Sequence, residues 1–414
     1  MKPMDEIGRR YLLLALRLGR HLPDLIDWYI GPAELAEAVS GEPDTPAEEL
    51  HLEALSLHAE VTELQVGADA DNRRRSWLAD QLDALAASAR LLAGEEIGYV
   101  DLVEELYGIP AEAEPEATFA SAHHLLDEVL PPGGTLVERL DAHDRSVTLP
   151  PEAALRGVRR LASALQQRTI QDVWLPEGES VQFAAARERR EGFSATYVGG
   201  LRTRIAIAPA SPMSLGRVVH LASHEAYPGH HAERATKEAL LAREQGLGEA
   251  MVSCRLTPAE AISEGMADLG RAVVMSDQEL GGVLRTLVRR LGLPIPDADV
   301  EREVIVGRAR SLLRGASANA ALMLWRDGLP KTEVRAWLAA SALMDQQRVD
   351  AELLRLGSPH GRVSSFSHLA GPRLIAEWLE ISGQTHGLAR LLGEQLTPGQ
   401  LRAEIGGSRV DRSR

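Results

Sequence analysis

The chain has 414 residues and a formal net charge of −15, enough length for two or three domains or for one large domain in two lobes. Hydrophobic residues make up 44% and charged residues 25%, the balance of a globular protein, and so acidic a chain lacks the basic face that nucleic-acid binding needs, which excludes that partner. Aromatics are only 4%, so Leu, Ala and Val must fill the core, and a chain rich in Ala, Leu, Glu and Arg favours helix over sheet.

Near the N-terminus an unbroken apolar run, Tyr11 to Leu16, ends at Arg17, with Asp5 and Glu6 ahead of it. An export signal places a basic stretch before an apolar run of roughly 7–15 residues and a small-residue cleavage site after it. Here the order is wrong, and an amphipathic helix is expected. No apolar stretch approaches the ~20 residues that span a membrane. Cys254 is the only cysteine, so no intrachain disulfide forms. These features fit a reducing compartment, and the expectation is a cytoplasmic protein with no membrane partner.

Thr45-Pro46-Ala47-Glu48 has the form of a capping box with Pro at the first helical position, and Leu50, Leu52, Leu55, Leu57, Val61 and Leu64 mostly follow on a helical face. Arg73-Arg74-Arg75, the densest basic cluster, has no interleaved aromatics and reads as solvated surface. A second helix is expected over 76–92, where Trp77, Leu78, Leu82, Leu85 and Leu92 recur near a 3.6 period. Pro- and Gly-rich stretches at 110–118, 131–134 and 149–151 punctuate the chain. They place a helical lobe at 1–150 and a metal-binding catalytic lobe at 151–405, with 406–414 as a disordered tail. Ser194 to Ala210 alternates Arg202 and Arg204 with Leu201, Thr203, Ile205 and Ile207 and is the best strand in the sequence. Within a small sheet near 181–208, its strand at 201–207 is expected to pair with extended substrate, Arg202 or Arg204 meeting a substrate carboxylate.

His224 to His231 reads HEAYPGHH, and four of the thirteen histidines, His220, His224, His230 and His231, fall within twelve residues. The stretch opens like the zinc-peptidase helix H-E-x-x-H, whose Glu takes a proton from metal-bound water; Glu225 holds that place. Pro228 stands where the second His belongs. In a regular helix His230 would point about 120° away from His224, and His231 would share its face but lie about 10.5 Å further along. Proline has no N–H for the carbonyl of residue 224 and its ring clashes there, while Gly229 permits backbone angles other residues avoid. Together they predict a bulge that absorbs two residues. His230 then becomes the second ligand, with His231 as the alternative ligand or a substrate contact.

A catalytic zinc needs a third protein ligand and an open position. Thr257-Pro258-Ala259-Glu260 reads as another capping box, and Glu260, Glu264 and Asp268 follow on one face at i, i+4 and i+8. Glu264 is the expected third ligand, because Gly265 beside it permits a neighbouring helix to approach closely. Asp268, one turn on, is expected to orient a ligand His through its other ring nitrogen.

HEAYPGHH followed by TPAEAISEG resembles the bacterial domain of unknown function 885 family, with its H-E-x-x-P-G-H-H motif and later E-G motif. The resemblance runs roughly from Tyr197 to Leu379, and the eight-residue motif is its most specific part. The family resembles the gluzincin metallopeptidases. It therefore implies a mainly α, two-lobed, zincin-like fold with a small β-sheet beside the active-site helix and the metal at the base of a cleft. By position it also implies His224, His230 or His231, and Glu264 as ligands of one Zn²⁺ per chain, with Glu225 as base. Similar proteins carry tyrosines where this chain has Ser364 and His368; His368 is expected to donate to the oxyanion in their place. The expected function is a zinc-dependent hydrolase of a peptide or small amide, carboxypeptidase-like in mode. The alternatives are a catalytically impaired helical binding protein and a metal hydrolase of esters or non-peptide amides.

Overall fold

The computed structural model describes residues 2–64, 67, 69–186, 192–208 and 213–412 of the chain. Helices dominate it. The N-terminal apolar run lies in helix Glu6–His21, capped by Asp5, which accepts from Gly8 N at 2.7 Å. Tyr11, Leu12, Leu14, Ala15 and Leu18 form its buried face. Helix Asp69–Leu92 covers the expected 76–92 pattern and starts earlier.

Local details depart from expectation where a nearer partner wins. Helix Ala47–Glu63 forms after the first capping box, but Pro46 is itself the N-cap, so Thr45 sits one residue too early to cap it. Thr257 does start helix Pro258–Val274, yet its hydroxyl donates to Cys254 O at 2.8 Å, and Glu260 accepts from Leu256 N at 2.7 Å. The arginines at 73–75 are not a solvated face. Arg74 donates to the buried Glu249 and to Asp5, and Arg73 stands 3.3 Å from Glu394.

Two hydrophobic cores organise the fold. The first draws on residues from Tyr11 to Leu140 and again from Ala242 to Ala261 and Val306 to Leu369. The second draws on residues from Val147 to Val300 and from Ile375 to Ile405. The second core thus begins near the expected boundary at 150, but the chain does not divide there, because later helices return to the first core. Helix Pro398–Arg412 buries Leu401 and Ile405 in the second core and covers positions 406–412 of the segment expected as a disordered tail, while 413–414 lie outside the described residues.

Strands Ser180–Ala185, Phe193–Tyr197 and Arg202–Ile207 make a three-stranded sheet. Arg202–Ile207 is central, parallel to the first and antiparallel to the second. The expected strand at 194–210 is therefore a hairpin, turned by Gly199 and Gly200 at φ +73° and +64°, and its positions 209–210 lie outside the described residues. Left-handed angles continue to Leu201 at φ +61°, and at Gly199 and Gly200 glycine adopts them without strain. Among the described residues no helix is long and apolar enough to cross a membrane.

Candidate metal centre

Ser214 starts helix Leu215–Ser223 by accepting from Arg217 N at 3.3 Å. Arg217, His220 and His224 then follow at i, i+3 and i+7 and face one cleft. After Ser223 the hydrogen-bond ladder changes. Gly229 N, His230 N and His231 N donate to the carbonyls of Ser223, His224 and Glu225 at 3.0, 2.8 and 3.2 Å, each reaching back six residues instead of four. Two residues are looped out, and the helix resumes as His230–Lys237. This is the bulge that Pro228 and Gly229 predict.

Glycines let the bulge close. A Cβ on Gly229 would lie 1.9 Å from the carbonyl oxygen of His224, so no other residue fits. A Cβ on Gly270 would lie 2.8 Å from Pro228 Cγ, so helix Pro258–Val274 seats the proline ring on bare backbone. On the same helix a Cβ on Gly265 would meet the Gly371 carbonyl carbon at 2.7 Å, the close approach of helix Ser367–Ser382 expected at that position.

The looped segment brings His230 back beside His224. His224 Nε2 lies 3.2 Å from Glu264 Oε2, and His230 Nε2 lies 3.4 Å from Glu264 Oε1. Two ligands at ~2.0–2.1 Å from a tetrahedral zinc stand about 3.3 Å apart. The observed separations fit that spacing. They do not fit a hydrogen bond at Glu264 Oε2, which is buried without a donor. Ligand atoms of the three residues all lie within 4.8 Å of one another. The donor set of two imidazoles and one carboxylate suits zinc.

Behind these atoms each imidazole has a support. His224 Nδ1 faces Asp268 Oδ1 at 3.2 Å, as expected, and Arg314 holds the same carboxylate oxygen. His230 Nδ1 lies 3.2 Å from Ser263 Oγ, which donates to Glu233, and Lys237 closes the chain on Glu233 at 2.7 Å. Burial opposes charge on His224, but Asp268 and Glu264 overcome it and push its pKa up to about 10. Burial likewise raises Glu264, yet the imidazoles of His230 and His368 hold it well below the usual carboxylate range. These carboxylates call for positive charge at this point, which a divalent cation supplies.

His231 is not part of this group. Its Nε2 lies 2.6 Å from Glu179 Oε2 and its Nδ1 2.8 Å from Thr203 Oγ1, so both ring nitrogens are occupied and the side chain is fully buried. Tyr227 and Gln166 also donate to Glu179, which ties the bulge to the sheet. The alternative ligand, or a substrate contact, at this position is thereby corrected. Arg202 and Arg204 are corrected too. They lie on the exposed face of the central strand, away from the cleft, and that strand has no free edge for substrate. Phe193, Ser194 and Ala195 of the neighbouring edge strand line the cleft instead.

Glu225 faces the cleft, its Oε1 3.7 Å from His220 Nε2, and its carboxylate lies within 4.8 Å of a His224 nitrogen. His220 stacks on His224 with ring centroids 4.6 Å apart. His368 Nδ1 lies 3.5 Å from Glu264 Oε2 and 3.7 Å from Asp268 Oδ2, so this remote residue does join the group. The sequence reading gave no role to His220, Ser263, Glu233, Arg314 or Glu179. Ser263 precedes Glu264 and Glu233 lies one turn after His230, so spacing could have found them. Arg314 and Glu179 carry no local signal. The cleft above these groups has a volume of about 1380 Å³.

No family model and no curated protein matches the chain. Among solved structures, "the putative lipoprotein from Colwellia psychrerythraea" matches with a TM-score of 0.54 and 14% identity, over 92% of this chain and 70% of that one. It has the same fold. "A putative lipoprotein of unknown function from Shewanella oneidensis" matches at 0.49 and 14%, over 90% and 76% of the two chains. The M32 carboxypeptidase from Deinococcus radiodurans R1 matches at 0.40 and 11%, over 97% and 94%. The cytoplasmic location expected from the sequence is overturned by the Colwellia structure of the same fold, which is described as a lipoprotein. Cys254 is single and buried, and a lone unpaired thiol does not fix a compartment.

Proposed function

We propose that this protein is a zinc-dependent hydrolase that cleaves a peptide or similar amide bond, with His224, His230 and Glu264 holding one metal ion and Glu225 as general base. The reading rests on the convergence of two imidazole nitrogens on one carboxylate, at 3.2 and 3.4 Å, on the wall of an open cleft. The same motif supports membership of the domain of unknown function 885 family. When bound, the ion lowers the pKa of a water toward about 7 and polarises the carbonyl under attack.

The chain's own residues do the rest. Glu225 takes the proton of the attacking water and returns it to the leaving amine. Asp268 and Ser263 fix the ring orientations of His224 and His230. Strand Phe193–Tyr197 has one edge unpaired among the described residues, and that edge pairs with an extended substrate through its backbone. His368, whose Nδ1 faces Glu264 and Asp268 and which lines the cleft, donates from its other ring nitrogen to the oxyanion where similar proteins use tyrosine.

The test is Glu225→Gln, assayed against short peptides blocked at either end. The variant is expected to keep its zinc and to lose hydrolysis by about 10²–10⁴-fold. Wild-type protein that binds zinc but cleaves no peptide, while cleaving esters or non-peptide amides, would move the substrate class. Loss of zinc in Glu225→Gln would remove Glu225 from the role of base.

A further inference from the structure

We infer that the substrate carries a carboxylate and that Arg217 binds it, a deepening that rests on the cleft being the hydrolase site. Arginines line this cleft, and all but one face a carboxylate within 4 Å, among them Arg234 on Asp27 at 2.7 Å and Arg308 on Asp277 at 3.6 Å. Arg217 is the exception. Among the described residues it has no carboxylate within 4 Å and no side-chain hydrogen bond; only the Glu225 carboxylate acts on it, from further off. Its guanidinium carbon lies 4.9 Å over the centroid of the Phe193 ring. A guanidinium held over an aromatic face keeps its N–H edge free for the planar, two-point recognition that a carboxylate offers.

The position suits a substrate group. Phe193 begins the edge strand that borders the cleft, so Arg217 stands at the end of the track along which a paired chain would run. Seven residues separate Arg217 from His224, roughly 10 Å along the helix axis. An extended chain covers that in about three residues at ~3.4 Å each. The carboxylate therefore belongs within about three residues of the bond that is cleaved. It is either the C-terminal carboxylate of the peptide or an acidic side chain.

Calorimetric binding to zinc-loaded Glu225→Gln protein tests this without turnover. Three mixtures of N-acetylated tetrapeptides serve as probes: free C-terminal acids without acidic side chains, the matching amides, and amides containing one Glu. One of the two carboxylate-bearing mixtures is expected to bind about 10- to 100-fold tighter than the plain amides, and which one does so names the source. Adding Arg217→Gln should abolish that advantage with zinc content unchanged, and Arg217→Lys should restore part of it. Equal binding of the three mixtures, binding of none, or an advantage that survives Arg217→Gln would overturn the assignment. Hydrolysis by the wild-type protein is read separately. A carboxylate preference without hydrolysis leaves Arg217 in place and rejects the hydrolase, and hydrolysis without preference does the reverse.

Discussion

His230 and His231 are adjacent in sequence and opposite in role. His230 turns Nε2 to Glu264, while His231 spends both ring nitrogens on Glu179 and Thr203. His230→Ala should lose zinc with a fold that survives, as read by metal content and circular dichroism. His231→Ala should keep zinc but remove one of the three donors to the buried Glu179 carboxylate, at a cost of about 1–3 kcal/mol in urea unfolding. Zinc loss in His231→Ala without any loss of stability would reverse the two assignments. At Gly229 the constraint is steric: with a Cβ 1.9 Å from the carbonyl of His224, Gly229→Ala should abolish zinc binding by opening the bulge.

At the scale of elements, the centre depends on how closely its helices approach. Helix Pro258–Val274 meets helix Ser367–Ser382 at Gly265 and Gly371, with no room for a methyl group. Gly265→Ala should therefore destabilise by about 1–3 kcal/mol and displace Glu264, seen as a lower unfolding midpoint together with weaker zinc binding. The sheet and the bulge are joined at Glu179, whose pKa is lowered: burial raises it, but bonds from His231, Tyr227 and Gln166 overcome that. A depressed carboxylate contributes stability above its unfolded pKa and loses it as pH falls through the folded value. Stability should thus decline below about pH 4.5, the ordinary value for this group, and Glu179→Gln should flatten that part of the curve. An unchanged acid slope in the variant would assign the decline to other groups.

These elements also mark what could be read in advance. The bulge was legible because Pro228 and Gly229 act on their own neighbours, and Glu264 and Asp268 because a helical stripe is a local pattern. The cap at Thr257 was misread because Cys254 and Leu256 offered nearer partners than the helix N–H groups. Gly199-Gly200, read as part of one strand, turns a hairpin instead, and the edge strand rather than the Arg202–Ile207 strand faces the cleft because a central strand uses both of its edges.

In the whole molecule, the centre lies where two cores meet. The histidine helices and the Glu264 helix pack largely in the second core, through Leu221, Ala226, Tyr227, Ile262 and Met266. Arg314 and His368 come from segments anchored in the first, beside Leu313, Ala316 and Leu369. No sequence pattern announces that arrangement, because residues 306–369 return to a core begun by residues 11–140, across a separation that periodicity does not see. A metal bound at such a junction stabilises only the folded chain, so saturating zinc should raise the unfolding temperature and a chelator should lower it.

Zinc per chain tests the central claim most directly. Purified protein, dialysed after exposure to excess zinc and measured by elemental mass spectrometry, should hold one equivalent, and Glu264→Ala should hold almost none. A folded wild-type chain that retains no zinc would contradict the metal centre and the hydrolase built on it.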